Sequence, residues 1–463
     1  MRDRFLWAGC LIYALLFAWL GSIKYDAHRN LVDFGIFAQT AASAFGCFCN
    51  PIEGSHWAFH FSPILYPVAV AVALVRTPIT LVALQAIAGA LVAPPIYALV
   101  RSRSGVAIAR LSAVVVWLYP PLAGLIFGDF HENGFAPAAV AWTLYAFDAG
   151  LLGWTVACAI VTLSIKEDQA IFLAIAGALG AWNFRGTRRG RLAAGVAVAS
   201  ALVLVAFFGF VQPHAASAAS TSWQPSRFYG WGPVSARELA AGIGERAGFL
   251  LLAFAPLLFM PLGSSAIALA VAPLGEVLLS RMPTTFTLGT HYAGAWIGYV
   301  LVPFALTIRR LDARRARALL LWCIALCVVE LAVADPLHPG INLRWEQPRD
   351  AALDRFLKEL PPSAAVATQE EAYTHLALAD PYASLLPESP AVEERACFVV
   401  IDRKFPDSPR LQEYGDALRR LVDDGRYALV TEREGIELYR STSRCASASA
   451  ARVGQSPSAR TTR

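Results

Sequence analysis

The chain has 463 residues, 56% of them hydrophobic and 16% charged, with a formal net charge of +5. Soluble globules carry about 25% charged residues, so this composition excludes a wholly soluble protein and points to lipid as the main solvent. The basic residues form short clusters between apolar runs and no basic face, which excludes a nucleic-acid-binding surface.

In chain order, the first apolar run is 5–23, behind Arg2 and Arg4. It is longer than the h-region of a signal peptide and no small-residue cleavage site follows, so it reads as a retained signal anchor. Further apolar runs lie at 78–100, 106–127, 135–149, 151–165, 169–184, 192–211, 247–262, 264–280, 292–308 and 316–334. They predict an α-helical polytopic membrane protein with about eleven spans, several of them short for a hydrocarbon core that takes about 20 residues to cross.

The piece 63–75 is shorter still and carries Pro63 and Pro67. The basic clusters are Arg2/Arg4, Arg101/Arg103/Arg110, Arg185/Arg188/Arg189/Arg191 and Arg309/Arg310/Arg314/Arg315/Arg317. All four fall on the cytoplasmic side only if 63–75 does not span, so it reads as a re-entrant or interfacial segment on the outer face. The N-terminus is then cytoplasmic and the C-terminal domain extracytoplasmic, in a bacterial inner (plasma) membrane.

The expected domains are a transmembrane domain at 1–335, an extracytoplasmic α/β domain at 336–440 and a disordered Ser-, Ala- and Arg-rich tail at 441–463. Within the second, helices are predicted at 350–361, 370–378 and 408–424, strands at 364–368 and 397–402, and a hairpin near 427–440 that turns at Glu434-Gly435. Four of the 8 cysteines lie in apolar runs, where Cys behaves as a small hydrophobe. No zinc-type spacing is present, and Cys47-Phe48-Cys49 reads as too tight for an ordinary structural disulfide.

On this topology all 8 histidines face outward, and four outer elements concentrate ionisable groups beside the membrane. The first is Asp33-Phe34-Gly35-Ile36-Phe37-Ala38-Gln39. Phe34, Phe37, Ala38, Ala41 and Phe45 share one helical face, which predicts an amphipathic helix lying in the interface. Asp33 reads as its N-cap carboxylate or as a general base. The second is Phe59-His60-Phe61-Ser62-Pro63, with a histidine either packed between aromatics or binding substrate. The third, Asp129-Phe130-His131-Glu132-Asn133, is a hydrated loop or a divalent-metal site in which His60 or His291 adds a ligand. The fourth, Lys166-Glu167-Asp168, is a solvated turn or an anchor for a lipid phosphate, with Arg281 suited to the same task and Arg227 less so.

Asp33-Phe-Gly-Ile-Phe-Ala-Gln39, His60-Phe-Ser-Pro-Ile-Leu65, Phe130-His-Glu-Asn-Gly-Phe-Ala-Pro137 and Lys166-Glu-Asp168 resemble the recurrent blocks of the predicted membrane protein family called domain of unknown function 2079. The resemblance covers roughly 20–440, and that family is in turn similar to the GT-C glycosyltransferases. It implies a GT-C-like fold and transfer of a sugar from a polyprenyl-phosphate donor, with membrane lipid as partner. Asp33 would then activate the acceptor. Lys166 or Arg281 would hold the donor phosphate, with His60, Glu167, Asp168 and His291 around the substrate. Asp129, His131 and Glu132 would shape the site or bind a divalent metal.

Two other classes compete. A transporter or lipid-handling protein would favour polar groups at the bilayer midplane and paired broken helices. No internal repeat is present, and Glu276 and Glu330 are the clear carboxylates inside spans. A sensory or structural protein would bind a partner through its outer domain.

Overall fold

The computed structural model describes residues 2–216, 242–337, 343–361, 364–386, 396–406 and 408–443. Arg227, His338 and most of the tail 441–463 lie outside them. The chain divides into two compact units, Met1–Ser22 with Ser55–Asn342, and Ile23–Gly54 with Leu343–Arg463.

The first unit is helical. Four helical stretches among the described residues are long and apolar enough to cross a membrane: Arg4–Asp26, Ile79–Leu118, Arg188–Ala215 and Ala313–Val333. Each leaves large apolar side chains uncovered, such as Leu11, Ile12 and Leu15 on the first and Trp322, Val329 and Val333 on the last. Helices apolar on their outer faces need lipid as solvent.

Other apolar helices are shorter. Leu65–Leu74, inside the predicted non-spanning piece, has 10 residues, about 15 Å at the helical rise and half of a hydrocarbon core. Two of the predicted spans are interrupted. After the helix Ile243–Phe254 the chain passes through 3₁₀ turns containing Pro256 and Pro261, with Leu258 and Phe259 left-handed. The run 264–280 is 3₁₀ over Ser265–Ala270 before the helix Val271–Leu279. Proline removes an amide donor and blocks continuation of the helix, an effect that hydropathy does not register. In the long helix Ala93–Leu118, helical geometry breaks at Gly105, with φ 80° and ψ 176°, between Arg103 and Arg110.

Two members of the basic clusters hold helices together. Arg110 forms a two-pronged pair with Asp3 at 3.0 Å, where Tyr97 Oη also donates at 2.7 Å. Arg309 pairs likewise with Asp148 at 2.6 and 2.9 Å. These pairs tie the first helix to Ala93–Leu118, and Ala136–Asp148 to the end of Ile297–Ile308.

The second unit is built on a five-stranded sheet, in the order Ser384–Leu385, Val366–Thr368, Phe398–Asp402, Ile436–Ser441, Tyr427–Arg433. The first three strands are parallel and the last two join antiparallel. Phe398–Asp402 is buried throughout, as its uninterrupted apolar run predicts for a central strand. Helices Pro348–Lys358, Glu370–Leu376 and Leu411–Asp423 bring Leu353, Phe356, Tyr373, Tyr414, Leu418 and Leu421 into the core. Arg349 pairs with the buried Asp402 at the end of the central strand.

The segment 23–54 belongs to this unit, which changes the reading of its motif. The helix Val32–Ala42 is buried continuously from Phe34 to Ala41 and packs against Glu370–Leu376. It is therefore not an interfacial amphipathic helix, because the C-terminal unit covers the face opposite Phe34 and Phe37. Gln39 donates to the carbonyls of Asp380 and Ala383 at 3.0 and 2.8 Å and accepts from Tyr373 Oη at 2.7 Å. Nor is Asp33 the N-cap. Leu31 occupies that position, and Glu370 Oε1 accepts from Val32 N at 2.6 Å. Cys47 and Cys49, set aside in the sequence as too close, are disulfide-bonded. Phe48 between them takes φ 49°, which folds the two side chains to the same side.

Gly35 explains itself by contact: a Cβ there would lie 2.3 Å from Tyr373 Cε1. Alanine is the better helix former by about 1 kcal/mol, so glycine is present for the close approach. Gly35→Ala is expected to destabilise the protein by about 1–3 kcal/mol through overpacking. Thermal unfolding checks this, with Gly46→Ala as control, where the nearest atom to a Cβ is 3.5 Å away.

Candidate functional site

The site in the first unit starts from one amide. Gln85, in the helix Ile79–Ala90, is buried, and its Nε2 lies 3.1–3.3 Å from the carbonyl oxygens of Leu125, Ile126, Gly128 and Asp129. Its Oε1 accepts from His131 N at 3.0 Å. These bonds satisfy the backbone where the helix Pro120–Phe127 ends and fix the loop that follows. Gly134 lets Gln85 approach, since a Cβ there would be 2.9 Å from Gln85 Oε1. Gly294 lets the 3₁₀ turn His291–Ala295 pack on the loop, 2.3 Å from Asn133 O by the same measure. The rings of His131 and His291 consequently stack, 3.9 Å between centroids and 5° between planes.

Next to them lies Glu132, fully buried, with Oε2 2.9 Å from His131 Nδ1 and Oε1 3.7 Å from Lys166 Nζ. Lys166 is the extended residue that precedes the helix Glu167–Asn183. Glu167, the first residue of that helix, reaches His60 Nδ1 at 2.8 Å and accepts from Phe61 N at 2.9 Å. Asp168, Glu276 and His291 complete the cluster through electrostatic interaction with Lys166. Eight titratable groups from segments far apart in sequence thus act on one another in a largely buried place.

Their charge states follow from this. Burial alone would lower the pKa of Lys166; the carboxylates of Glu132, Asp168 and Glu167 outweigh it and hold the ammonium above the usual lysine range. Burial pushes the His131 imidazole down to about 4 against the pull of Glu132, so the ring is neutral at pH 7. Several acceptors remain unfilled. Among the described residues, Asn133 Oδ1, Asp168 Oδ1 and the side-chain amide of Gln169 are buried and find no hydrogen-bond partner, whereas Glu132 is held by His131 and Lys166. Buried polar atoms are almost always satisfied, and an orphaned set in one place points to a polar ligand.

The family model for predicted membrane proteins, DUF2079, matches residues 28–438. The chain belongs to the DUF2079 family. No curated protein matches it in sequence. Among solved structures, ArnT from Cupriavidus metallidurans bound to undecaprenyl phosphate is similar at TM-score 0.55 and 12% identity, over 93% of this chain and 98% of that one. ArnT in the apo state gives 0.56 and 13% over the same shares. The Archaeoglobus fulgidus oligosaccharyltransferase in complex with Zn and sulfate gives 0.43 and 15%, over 95% of this chain and 73% of that one. The ArnT likeness shows the fold alone, which this DUF2079 protein shares with ArnT.

Against the residues singled out in the sequence, the structure brings His60, His131, Glu132, Lys166, Glu167, Asp168 and His291 into mutual reach. Asp129 is half-buried beside them and Arg281 is exposed after Val271–Leu279. Asp33 belongs to the other unit. Among the described residues, the three donor side chains that gather as metal ligands would, within 4.8 Å of one another, are His28, Asp354 and His375 of the second unit. Sequence reasoning missed Gln85, whose only signal is a lone amide in an apolar run, and left Glu276 unassigned.

Proposed function

We propose that this DUF2079 protein is a GT-C-like glycosyltransferase that takes a sugar from a polyprenyl-phosphate carrier at the outer face of the bacterial inner membrane. The observation that carries the reading is the buried cluster around Lys166. One ammonium suits a single lipid phosphate. The unfilled acceptors on Asn133, Asp168 and Gln169 suit sugar hydroxyls, which donate. Neutral His131, with Asp129 and Glu132, shapes the site around the carrier. Arg281 is a second candidate phosphate partner. Asp33, by the family resemblance, is the base that activates the acceptor. ArnT, of the same fold, binds undecaprenyl phosphate, which supports the carrier class.

The topology in this proposal has about eleven spans, an N-terminus inside and a C-terminal α/β domain outside. Cysteine chemistry supports it. Cys47, Cys49 and Cys397 of the second unit are disulfide-bonded, whereas Cys10, Cys158, Cys323 and Cys327 of the first are free thiols. Disulfides persist in oxidising compartments such as the periplasm.

The test is native mass spectrometry of the purified protein titrated with undecaprenyl phosphate and, separately, phosphatidylglycerol. Retention of one undecaprenyl phosphate per chain, displaced by no excess of phosphatidylglycerol, is the expected result. Equal retention of the two lipids would overturn the carrier assignment.

A further inference from the structure

The second unit holds a group of side chains that the proposed transfer does not use. His28 follows the helix Arg4–Asp26 with a left-handed φ of 54° and is almost fully buried. Its Nδ1 lies 2.9 Å from the carbonyl oxygen of Glu371. His375, in the last turn of Glu370–Leu376, places Nε2 2.9 Å from the carbonyl oxygen of Tyr25. A carbonyl only accepts, so these two nitrogens carry hydrogen. In neutral imidazoles the other two nitrogens then present lone pairs.

Both lone pairs face one carboxylate. His375 Nδ1 lies 2.9 Å and His28 Nε2 3.2 Å from Asp354 Oδ1, the latter without the geometry of a hydrogen bond. Three electron-pair donors at such distances repel one another unless a shared proton, as in the His375–Asp354 contact, or a metal cation lies among them. We propose that His28, Asp354 and His375 bind a divalent metal ion of the zinc class.

Ligands about 2.0–2.2 Å from a tetrahedral zinc stand about 3.3 Å apart, close to the two spacings to Asp354. Two imidazole nitrogens and one carboxylate oxygen favour zinc over magnesium or calcium, which take oxygen ligands. Each histidine already donates its second N–H to a backbone carbonyl, the partnership that fixes tautomer and ring orientation in metal-bound histidines. The Asp354 side chain is 29% exposed, which leaves the fourth position to water.

The two rings stack at 3.5 Å between centroids and 10° between planes. A shared metal must lie near both ring planes, so loading opens the stack by turning one ring about its Cβ–Cγ bond. The metal would staple the start of segment 23–54 to the helices Pro348–Lys358 and Glu370–Leu376, elements more than 300 positions apart in sequence.

The experiment uses the full-length protein in detergent, stripped with a chelator, reloaded with zinc or cobalt(II) alone and desalted. About one zinc per chain is expected by elemental mass spectrometry, falling to below about 0.1 in His375→Gln and Asp354→Asn, since three ligands define the site. His131→Gln should retain it. X-ray absorption of the zinc-loaded native chain should show two imidazoles and oxygen in four-coordination, a readout that needs no variant to fold. Cobalt should give the intense visible bands of a tetrahedral site. No retained metal, an all-oxygen shell, or loss of zinc in His131→Gln but not in His375→Gln would each overturn the assignment. The proton-shared stack would then be the state of these residues. None of these readouts depends on glycosyl transfer, so the proposed function stands or falls separately.

Discussion

Lys166→Met is expected to lower the stability of the detergent-solubilised protein by about 3–5 kcal/mol, because removing one member of a buried ion pair strands the other. The stranded groups here are Glu132, at 3.7 Å, and its acidic neighbours Glu167 and Asp168. The same change should abolish retention of undecaprenyl phosphate. The two effects have different causes, and a second variant separates them. In Lys166→Met with Glu132→Gln the ammonium and the carboxylate facing it are both gone, so most of the lost stability should return. Lipid retention should not return, because no cation is left to meet the phosphate. Thermal unfolding and native mass spectrometry on the same preparations read the two quantities. Recovery of both in the double variant would reduce Lys166 to a charge balancer for buried carboxylates.

The cluster around Lys166 was legible in the sequence for a physical reason. Ionisable residues beside apolar runs are few, and His60, His131, Glu132, Lys166 and Glu167 each stand at such a junction. Their mutual distances were not legible, since they depend on how Gln85 draws the loop 128–134 inward and on which glycines leave room. Gln85 looks in sequence like one polar residue tolerated in an apolar helix; only its five partners give it a role.

In sequence the helix Val32–Ala42 looks one-sided because Phe34, Phe37 and Ala41 recur at helical spacing. Its other side is covered by Tyr373 and by the backbone at Asp380 and Ala383, more than 330 positions away, and no local pattern carries that information. The same holds for His28, Asp354 and His375. In the second unit, strands with continuous apolar runs such as Phe398–Asp402 were readable, while Ser384–Leu385, two residues long, was not.

Asp33→Asn is expected to leave the fold almost unchanged and to reduce sugar transfer by about 10²–10⁴-fold, the usual contribution of a general base. The small structural cost follows from where the helix gets its cap. Val32 N is bound by Glu370 Oε1 at 2.6 Å, and Leu31, the N-cap residue, supplies no side-chain bond. Asp33 sits in the first turn, where a carboxylate gains about 0.3–1 kcal/mol from the helix dipole that the amide forfeits. Asparagine keeps the shape of aspartate and loses its basicity, so undecaprenyl phosphate retention should be unaffected. Glu370→Gln supplies the contrast: it weakens the cap that is present in the structure and should lower thermal stability more than Asp33→Asn does. Turnover is measured as transfer of labelled sugar from a polyprenyl-phosphate donor into membrane acceptors. A loss of less than about tenfold in Asp33→Asn, well below what a base contributes, would return Asp33 to a helix-terminal carboxylate and require the acceptor's proton to go elsewhere.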